Sequence, residues 1–169
     1  RQRRKSIHLG WIVQKNQMRF FIIILFLSIS PPLFSRTIIV GSNQPVTSLK
    51  KAIAIAKNFD TILLQAGTYK EGAITLTKSL TIIGQNSPVL DGENKYEILL
   101  ISGKNITIKG IHFRNSGYSA MDDYASIKLV DASYITIENN QIFDSYFAIH
   151  ISNKFKLNIA LALVKIFFL

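Results

Sequence analysis

The sequence predicts an all-β chain that folds as a right-handed parallel β-helix, a solenoid of about four coils with an N-terminal capping helix. Three observations predict this fold: a five-residue repeat, a second set of short strands in phase with it, and a helical segment before the first coil. Short strands at such intervals, with almost no helix between them, suit stacked turns that each climb one strand spacing of about 4.8 Å. A β-sandwich would not repeat one motif in phase.

The repeat is a strand followed by a bend. Leu80–Gly84 (LTIIG) returns as Ile106–Gly110 (ITIKG) and as Ile135–Asn139 (ITIEN), at separations of 26 and 29 residues. In each copy the first and third residues are aliphatic and the second is threonine, so alternation places the aliphatic pair on one face. Each copy ends in Gly or Asn, which tolerate positive φ. We therefore expect the third residues to form one continuous interior column: Ile82, Ile108 and Ile137.

A second set of short apolar strands accompanies the repeat. Ile98–Ile101 and Ile127–Val130 each begin eight residues before the next Ile-Thr-Ile segment, and Ala148–Ile151 starts a further copy. Their β-branched composition is typical of strands in a buried sheet. Each coil is therefore expected to contain at least two strands.

One amphipathic helix is predicted before the first coil. Thr47–Lys57 has Thr47 or Ser48 as N-cap, and its apolar residues recur at helical spacing. Those on the buried face are Leu49, Ile53 and Ala56. The helix is placed to close the open end of the solenoid, and Asp60–Tyr69 then supplies the first strand and a glycine turn.

The formal net charge of +10 is concentrated at the two ends of the sequence. Residues 1–35 hold six basic and no acidic side chains, residues 36–153 hold eleven basic and ten acidic, and residues 154–169 hold three basic and none acidic. Because the middle region is nearly neutral, the sequence does not favour a nucleic-acid partner. Cysteine is absent, which excludes disulfides and thiolate metal sites in this sequence.

The first 35 residues have the layout of a secretory signal preceded by an extension. A basic start at Met18–Arg19 is followed by an apolar run over Phe20–Ser30, by Pro31-Pro32 and by a small residue at Ser35. The run is about half of the roughly 20 residues that a membrane span requires. We therefore expect a cleaved signal peptide and a periplasmic protein.

These features divide the chain into four parts. Residues 1–17 have no apolar periodicity and are interpreted as an upstream, non-native extension, and residues 18–35 as the signal peptide. Residues 36–153 form the partial β-helix domain. Residues 154–169 have no acidic or turn residues, and we interpret them as an aberrant hydrophobic tail on a truncated chain.

Two stretches carry a resemblance to known families. The helix and first strand over 47–69 resemble the opening of exported β-helix proteins, including pectate lyases and the carbohydrate-binding and sugar hydrolase group. Phe113–Gly117 followed by Ser119–Leu129 resembles the NosD family, in which a coil ends in a Ser-Gly turn and a polar loop precedes the next strand. The NosD resemblance covers about residues 36–153.

The resemblance implies a function as well as a fold. A NosD-like protein would be periplasmic and would assist assembly of the copper-sulfide centre of nitrous oxide reductase, with an ABC-type membrane transporter and the reductase as partners. The alternative is the N-terminal fragment of a polysaccharide-active β-helix enzyme, of pectate lyase or glycosidase type, or of a carbohydrate-binding β-helix. In that case the partner is a polysaccharide.

Five residues are candidate metal ligands. Alternation turns His112 and His150 outward, and Met121, Asp122 and Asp123 lie in the polar loop. Imidazole, thioether and carboxylate are groups that copper accepts, so copper is a possible cofactor. The alternative is that all five are solvated side chains, and the two histidines belong to different strand sets.

Catalysis has weaker support in the sequence. Asp122-Asp123 could supply the two carboxylates of a glycosidase, but the surrounding residues equally suit a solvated turn. Arg114 and Asp91 are the residue types of a lyase site without a motif that joins them. The sequence therefore favours a function without catalysis.

Two further groups of residues are singled out. The tyrosines are candidates for stacking on sugars: Tyr96, Tyr118, Tyr124, Tyr134 and Tyr146. The asparagines are candidates for holding turns: Asn105, Asn115, Asn139 and Asn140.

Overall fold

A computed structural model describes residues 35–152 and the short strand at 166–167. The predicted extension over 1–17, the predicted signal peptide except Ser35, and the predicted tail except residues 166–167 lie outside the described residues. Within the described part, no helix is both long and apolar enough to cross a membrane.

The described residues contain one helix and a series of short strands. The helix, α1, spans Leu49–Ile55. In chain order the strands are β1 (Thr37–Val40), β2 (Thr61–Leu64), β3 (Thr68–Tyr69), β4 (Ile74–Leu76), β5 (Thr81–Gly84), β6 (Val89–Asp91), β7 (Leu99–Ile101), β8 (Lys104–Lys109), β9 (His112–Arg114), β10 (Ala125–Val130), β11 (Ser133–Glu138), β12 (Asn140–Phe143), β13 (Phe147–Ser152) and β14 (Ile166–Phe167).

The described strands form three sheets, and their pairings are parallel. Sheet A has the order β1-β2-β5-β8-β11, sheet B the order β3-β6-β9-β12-β14, and sheet C the order β4-β7-β10-β13. Each full turn contributes one strand to each sheet, so the chain is a parallel β-solenoid of about five turns. The predicted β-helix fold is confirmed. The number of turns exceeds the expected four because Thr37–Val40, which the sequence did not single out, pairs with β2 as an additional strand.

The interior of the solenoid is a stack of aliphatic side chains. Successive strands of sheet A are in register so that Ile82 pairs with Ile108, and Ile108 pairs with Ile137. The column continues in the other direction to Ile62 and Ile38. All five side chains are buried. The predicted continuous column is therefore confirmed, and it is longer than expected.

Helix α1 closes the N-terminal end of this stack. Ser48 is the N-cap and accepts a hydrogen bond from the Lys51 N–H at 3.3 Å, as predicted. Leu49, Ala52 and Ile53 are buried in the same apolar cluster as the strands. The helix contacts β1, β2 and β4, so it covers interior positions that no earlier strand occupies.

Two charged side chains from the first full turn hold the ends of α1. The Glu71 carboxylate accepts hydrogen bonds from the Ser48 hydroxyl and from the Leu49 and Lys50 N–H groups, at 2.7 to 2.9 Å. The Lys78 ammonium donates to three carbonyls at the other end, those of Ile53, Ala54 and Ala56, at 2.8 to 2.9 Å. An anion at the helix N-terminus and a cation at its C-terminus both complement the helix dipole.

The last residue of each repeat, Gly84, Gly110 or Asn139, lies where the chain bends after a sheet A strand. Gly110 has φ 70° and Asn139 has φ 53°, as predicted. Gly84 does not have positive φ; a Cβ at this position would instead collide with the Gly110 carbonyl of the next turn. Glycine is therefore needed at Gly84 for close approach between turns rather than for backbone conformation.

Candidate functional site

The structure divides the predicted metal ligands between two faces of the solenoid. His112 lies on β9 of sheet B, and His150 lies on β13 of sheet C. Both imidazoles are half-buried and belong to outward positions. Met121, Asp122 and Asp123 lie in the loop 115–124 between β9 and β10, as expected. The His112 ring packs edge-on against Phe143, with ring centroids 5.9 Å apart, and is therefore separate from the others.

The loop 115–124 is attached to neighbouring turns at its start and turns back on itself near its tip. The Tyr146 N–H donates to the Ser116 hydroxyl at 3.0 Å, and the Gly117 N–H donates to the Tyr96 carbonyl at 2.8 Å. At the tip, the Ser119 hydroxyl accepts hydrogen bonds from the two N–H groups of Met121 and Asp122. Met121 itself is 95% exposed.

Asp123 and His150 are the two predicted ligands that the fold brings together. The Nε2 atom of His150 lies 3.6 Å from an Asp123 carboxylate oxygen. The other imidazole nitrogen, Nδ1, is buried and has no hydrogen-bond partner. One carboxylate and one imidazole therefore meet on the outer side of sheet C, with one nitrogen of the imidazole unused.

A second ion pair lies beside the first. Lys128 on β10 is in register with His150 on β13 and with Leu100 on β7, so these three outward side chains form one row across sheet C. The Lys128 ammonium lies 3.7 Å from a Glu97 carboxylate oxygen, and both side chains are mostly buried. That Glu97 oxygen is also buried without a hydrogen-bond partner.

Exposed aromatic rings adjoin this polar row. The rings of Tyr118 and Tyr146 pack edge-to-face at 4.8 Å, and those of Tyr146 and Phe147 at 4.6 Å. Phe147 in turn stacks on the His150 ring at 5.8 Å. The side chains are 65%, 54% and 37% exposed for Tyr118, Tyr146 and Phe147. Aromatic rings held together at a surface are typical of binding sites for proteins and sugars.

We call this group the sheet C surface and define it by seven residues: Glu97, Tyr118, Asp123, Lys128, Tyr146, Phe147 and His150. The sequence identified Asp123 and His150 and named two of the tyrosines as candidates. It missed Glu97, Lys128 and Phe147. The register of β10 with β13, in which Ile127 pairs with Ile149, is what places Lys128 beside His150.

The residue types of a lyase site are joined in the structure, but in a structural role. The Arg114 Nε lies 3.0 Å from an Asp91 carboxylate oxygen. Asp91 also accepts hydrogen bonds from the Glu93 N–H and the Asn115 amide. Burial alone would raise the pKa of Asp91, but these three donors outweigh it and hold the pKa below its ordinary value. The carboxylate is fully engaged in holding a bend of the chain.

The asparagines hold bends, as predicted. Asn105, Asn115 and Asn139 all have left-handed backbone conformation. Asn140 is buried: its carbonyl oxygen accepts from the Ile111 N–H at 2.9 Å and its amide donates to the Ile108 carbonyl at 3.0 Å.

A copper site of five ligands stays a prediction. Within the part of the chain that the structure describes, no three side chains of the types His, Cys, Asp and Glu are grouped to hold a metal ion. Asp123 and His150 offer two donors on the sheet C surface, and His112 lies on another sheet.

Comparisons with protein-family models, with curated proteins and with solved structures found no match. The function is therefore inferred from the residues of the chain itself.

Proposed function

We propose that this chain is a non-catalytic, NosD-like periplasmic accessory protein that assists copper-centre assembly in nitrous oxide reductase, and that the sheet C surface is where it binds a partner protein. The observation that carries this proposal is the exposed aromatic group of Tyr118, Tyr146 and Phe147 beside the Asp123–His150 pair. The sequence resemblance to the NosD family supports the choice of partner.

The composition of the surface suits a protein interface. Aromatic side chains dominate the binding energy of protein interfaces because they bury a large area with few rotatable bonds. The two ion pairs beside them give the surface both charge signs, which suits complementary recognition of a partner. The rings pack on one another, so part of the cost of ordering them is met before binding.

The donors of the sheet C surface also suit transient contact with copper. A site that holds copper permanently needs more ligands than one imidazole and one carboxylate. Two donors on an exposed surface instead suit copper that is passed on to the reductase. In this proposal copper is cargo, and Asp123 and His150 would meet it, with Met121 on the same loop as an additional soft donor.

The test of the protein interface compares the removal of exposed tyrosines on the sheet C surface with the removal of an exposed tyrosine elsewhere. The double variant Tyr118→Ala/Tyr146→Ala is compared with Tyr134→Ala, an exposed tyrosine on sheet A. Binding to nitrous oxide reductase and to the transporter is measured by surface plasmon resonance. We expect at least one partner to bind the double variant about 30-fold more weakly, as for loss of a hot spot.

The control variant is expected to bind as tightly as the unaltered chain. Equal binding by all three proteins, or no binding by the unaltered chain, would reject the sheet C surface as the partner site.

Copper binding is tested separately, by titrating Cu(I) and Cu(II) into the unaltered chain, His150→Ala and His112→Ala. Weaker copper uptake is expected only for His150→Ala.

A second function has support from the same rings. The edge-to-face tyrosines offer stacking, and the exposed Asp123 carboxylate near them offers hydrogen-bond acceptors, a combination that suits the binding of a polysaccharide. Retention of the unaltered chain on polysaccharide gels, lost in Tyr118→Ala/Tyr146→Ala, together with no affinity for the reductase would favour this carbohydrate-binding function.

A further inference from the structure

The outer face of sheet A carries a regular column of threonines. Residue pairing along the sheet links Thr37 to Thr61, Thr61 to Thr81, Thr81 to Thr107, and Thr107 to Thr136. Every strand of the sheet therefore contributes one threonine at the same outward position. The spacing along this column is that between neighbouring strands, about 4.8 Å.

A second outward column runs beside the threonines. In the first three turns it consists of Ile39, Leu63 and Ile83, which are paired in register. In the next two turns it consists of Lys109 and Glu138, whose charged groups pair with each other at 2.8 Å. The two columns are two residues apart along each strand, a distance of about 6.6 Å.

The first three turns thus present a two-by-three array of uncharged side chains. We call this the threonine array, and its members are Thr37, Ile39, Thr61, Leu63, Thr81 and Ile83. None of its three hydroxyls makes a hydrogen bond to another group in the described part of the chain. The three threonines face outward and are at least partly exposed, and every member of the array also presents methyl groups.

An array of this kind suits a ligand whose own atoms repeat in two dimensions. Hydroxyls at fixed spacing anchor water molecules by hydrogen bonds, and the methyl groups between them restrict the orientation of neighbouring water. The array itself lacks charged side chains, which would impose their own hydration. The combination favours ordered water over a nucleic acid or a single sugar ring.

We propose that the threonine array binds the surface of ice, by holding water in a lattice that matches the spacing of the side chains. This site lies on sheet A, and the proposal is independent of the partner site on sheet C. The ligand is the repeating oxygen lattice of crystalline water, met through hydroxyl and methyl groups. Thr107 and Thr136 lengthen the hydroxyl column beyond the uncharged part.

The experiment uses the full chain and its variants on growing ice crystals. Thr81→Tyr places a bulky ring at the end of the uncharged array nearest Thr107, and Thr61→Tyr does so at its centre. Tyrosine has high strand propensity, so both outward substitutions are expected to leave the fold intact. The matched control is Thr75→Tyr, an exposed outward threonine on β4 of sheet C.

The unaltered chain and Thr75→Tyr are expected to facet single ice crystals and to inhibit recrystallisation, and both array variants to lose these effects. Circular dichroism spectra are compared for all four proteins to establish that each is folded. Round crystals and grain growth equal to that with albumin would overturn the proposal. So would faceting that all variants retain.

One further outcome would reassign the array. Retention on cellulose or chitin particles, abolished by Thr81→Tyr, combined with no effect on ice would overturn ice binding and identify a crystalline polysaccharide as the ligand.

Discussion

Two buried carboxylates, Asp60 and Asp91, each fix a bend by accepting several hydrogen bonds. Asp60 accepts from the Arg36 and Lys57 N–H groups, both at 2.9 Å, and lies 3.5 Å from the Arg36 guanidinium. The Lys57 and Arg36 N–H donors hold the pKa of Asp60 below its ordinary value of 3.8. Single residues of this kind join points that lie more than 20 positions apart in the sequence.

The lowered pKa of Asp91 predicts a specific dependence of stability on pH. A carboxyl group whose pKa is lower in the folded state contributes stability fully above its unfolded value, here 3.8, and loses it as the pH falls through the folded pKa. The free energy of unfolding of Asp91→Asn should therefore be lower than that of the unaltered chain at neutral pH. The difference should shrink below pH 3.8. Urea titrations across the acid range measure it, with Asp122→Asn on the exposed loop as control.

Replacing Gly84 by alanine is expected to strain the contact between two turns. In Gly84→Ala the added Cβ meets the Gly110 carbonyl, which belongs to backbone and cannot rotate away. We expect a loss of about 1 to 3 kcal/mol in the free energy of unfolding. The control is Gly41→Ala, where the added Cβ meets the side chain of Gln65, which can move. Equal losses in thermal or urea denaturation would contradict this explanation.

At the residue scale, the sequence predicted backbone conformations better than it predicted which side chains contact each other. Left-handed conformations at Asn105, Asn115 and Asn139 follow from a local property of asparagine, so the pattern sufficed. The contact between Asp91 and Arg114 depends on the pairing of β6 with β9, and no local signal in the sequence indicates that pairing.

Among the elements, the sequence predicted the strands that share a motif or an alternating pattern. Most strands of sheet A alternate between buried and more exposed residues, and most strands of sheets A and C were predicted. Sheet B was missed because its strands share no motif: β6 is VLD, β9 is HFR and β12 is NQIF. The helix was predicted because its cap and its apolar spacing agree.

The hydrogen bonds from Lys78 to the C-terminal end of α1 predict a large loss of stability when this lysine is replaced. Lys78→Met keeps the aliphatic stem but removes the donor to the carbonyls of Ile53, Ala54 and Ala56. We expect a loss of about 1 to 3 kcal/mol in unfolding free energy, because two of these contacts are partly buried. The control Lys70→Met breaks an exposed ion pair with Glu93, at 3.7 Å, and should cost less than about 1 kcal/mol. Chemical denaturation of both variants decides the comparison.

At the scale of the whole molecule, the buried side chains of each turn stack on those of the neighbouring turns. In such repeats each turn contacts only its neighbours, so a side chain in the middle of the stack is covered on both sides. Ile108 is covered by Ile82 and Ile137, whereas Ile38 pairs with Ile62 on one side only.

We therefore predict that Ile108→Ala destabilises the protein more than Ile38→Ala. Removing the central side chain leaves a cavity and should cost about 2 to 5 kcal/mol. The same change at Ile38, which is 6% exposed at the end of the column, should cost less. The difference is measured by urea denaturation, and a larger loss for Ile38→Ala would contradict the nearest-neighbour description.

The candidate site was predictable only in part, because the stacking of turns creates it. Asp123 and His150 carry recognisable chemistry and were identified from the sequence. Glu97 and Lys128 belong to adjacent turns, and their contact depends on the register that pairs Leu100 with Lys128. Ile135 follows Leu129 by six positions, whereas their pairing partners Ile106 and Ile101 are five positions apart. Sequence spacing alone did not reveal this offset.

Helix α1 covers the interior at one end of the solenoid. A turn can therefore be added at that end only if a new helix or strand covers the added interior. Between α1 and the opposite end, each inserted turn in register would add one member to every outward row at once. Duplication of a turn would thus lengthen the threonine column and the Lys128–His150 row together. For a ligand that repeats, the length of such a row sets avidity, so this architecture can tune binding strength by gene duplication without altering any single contact.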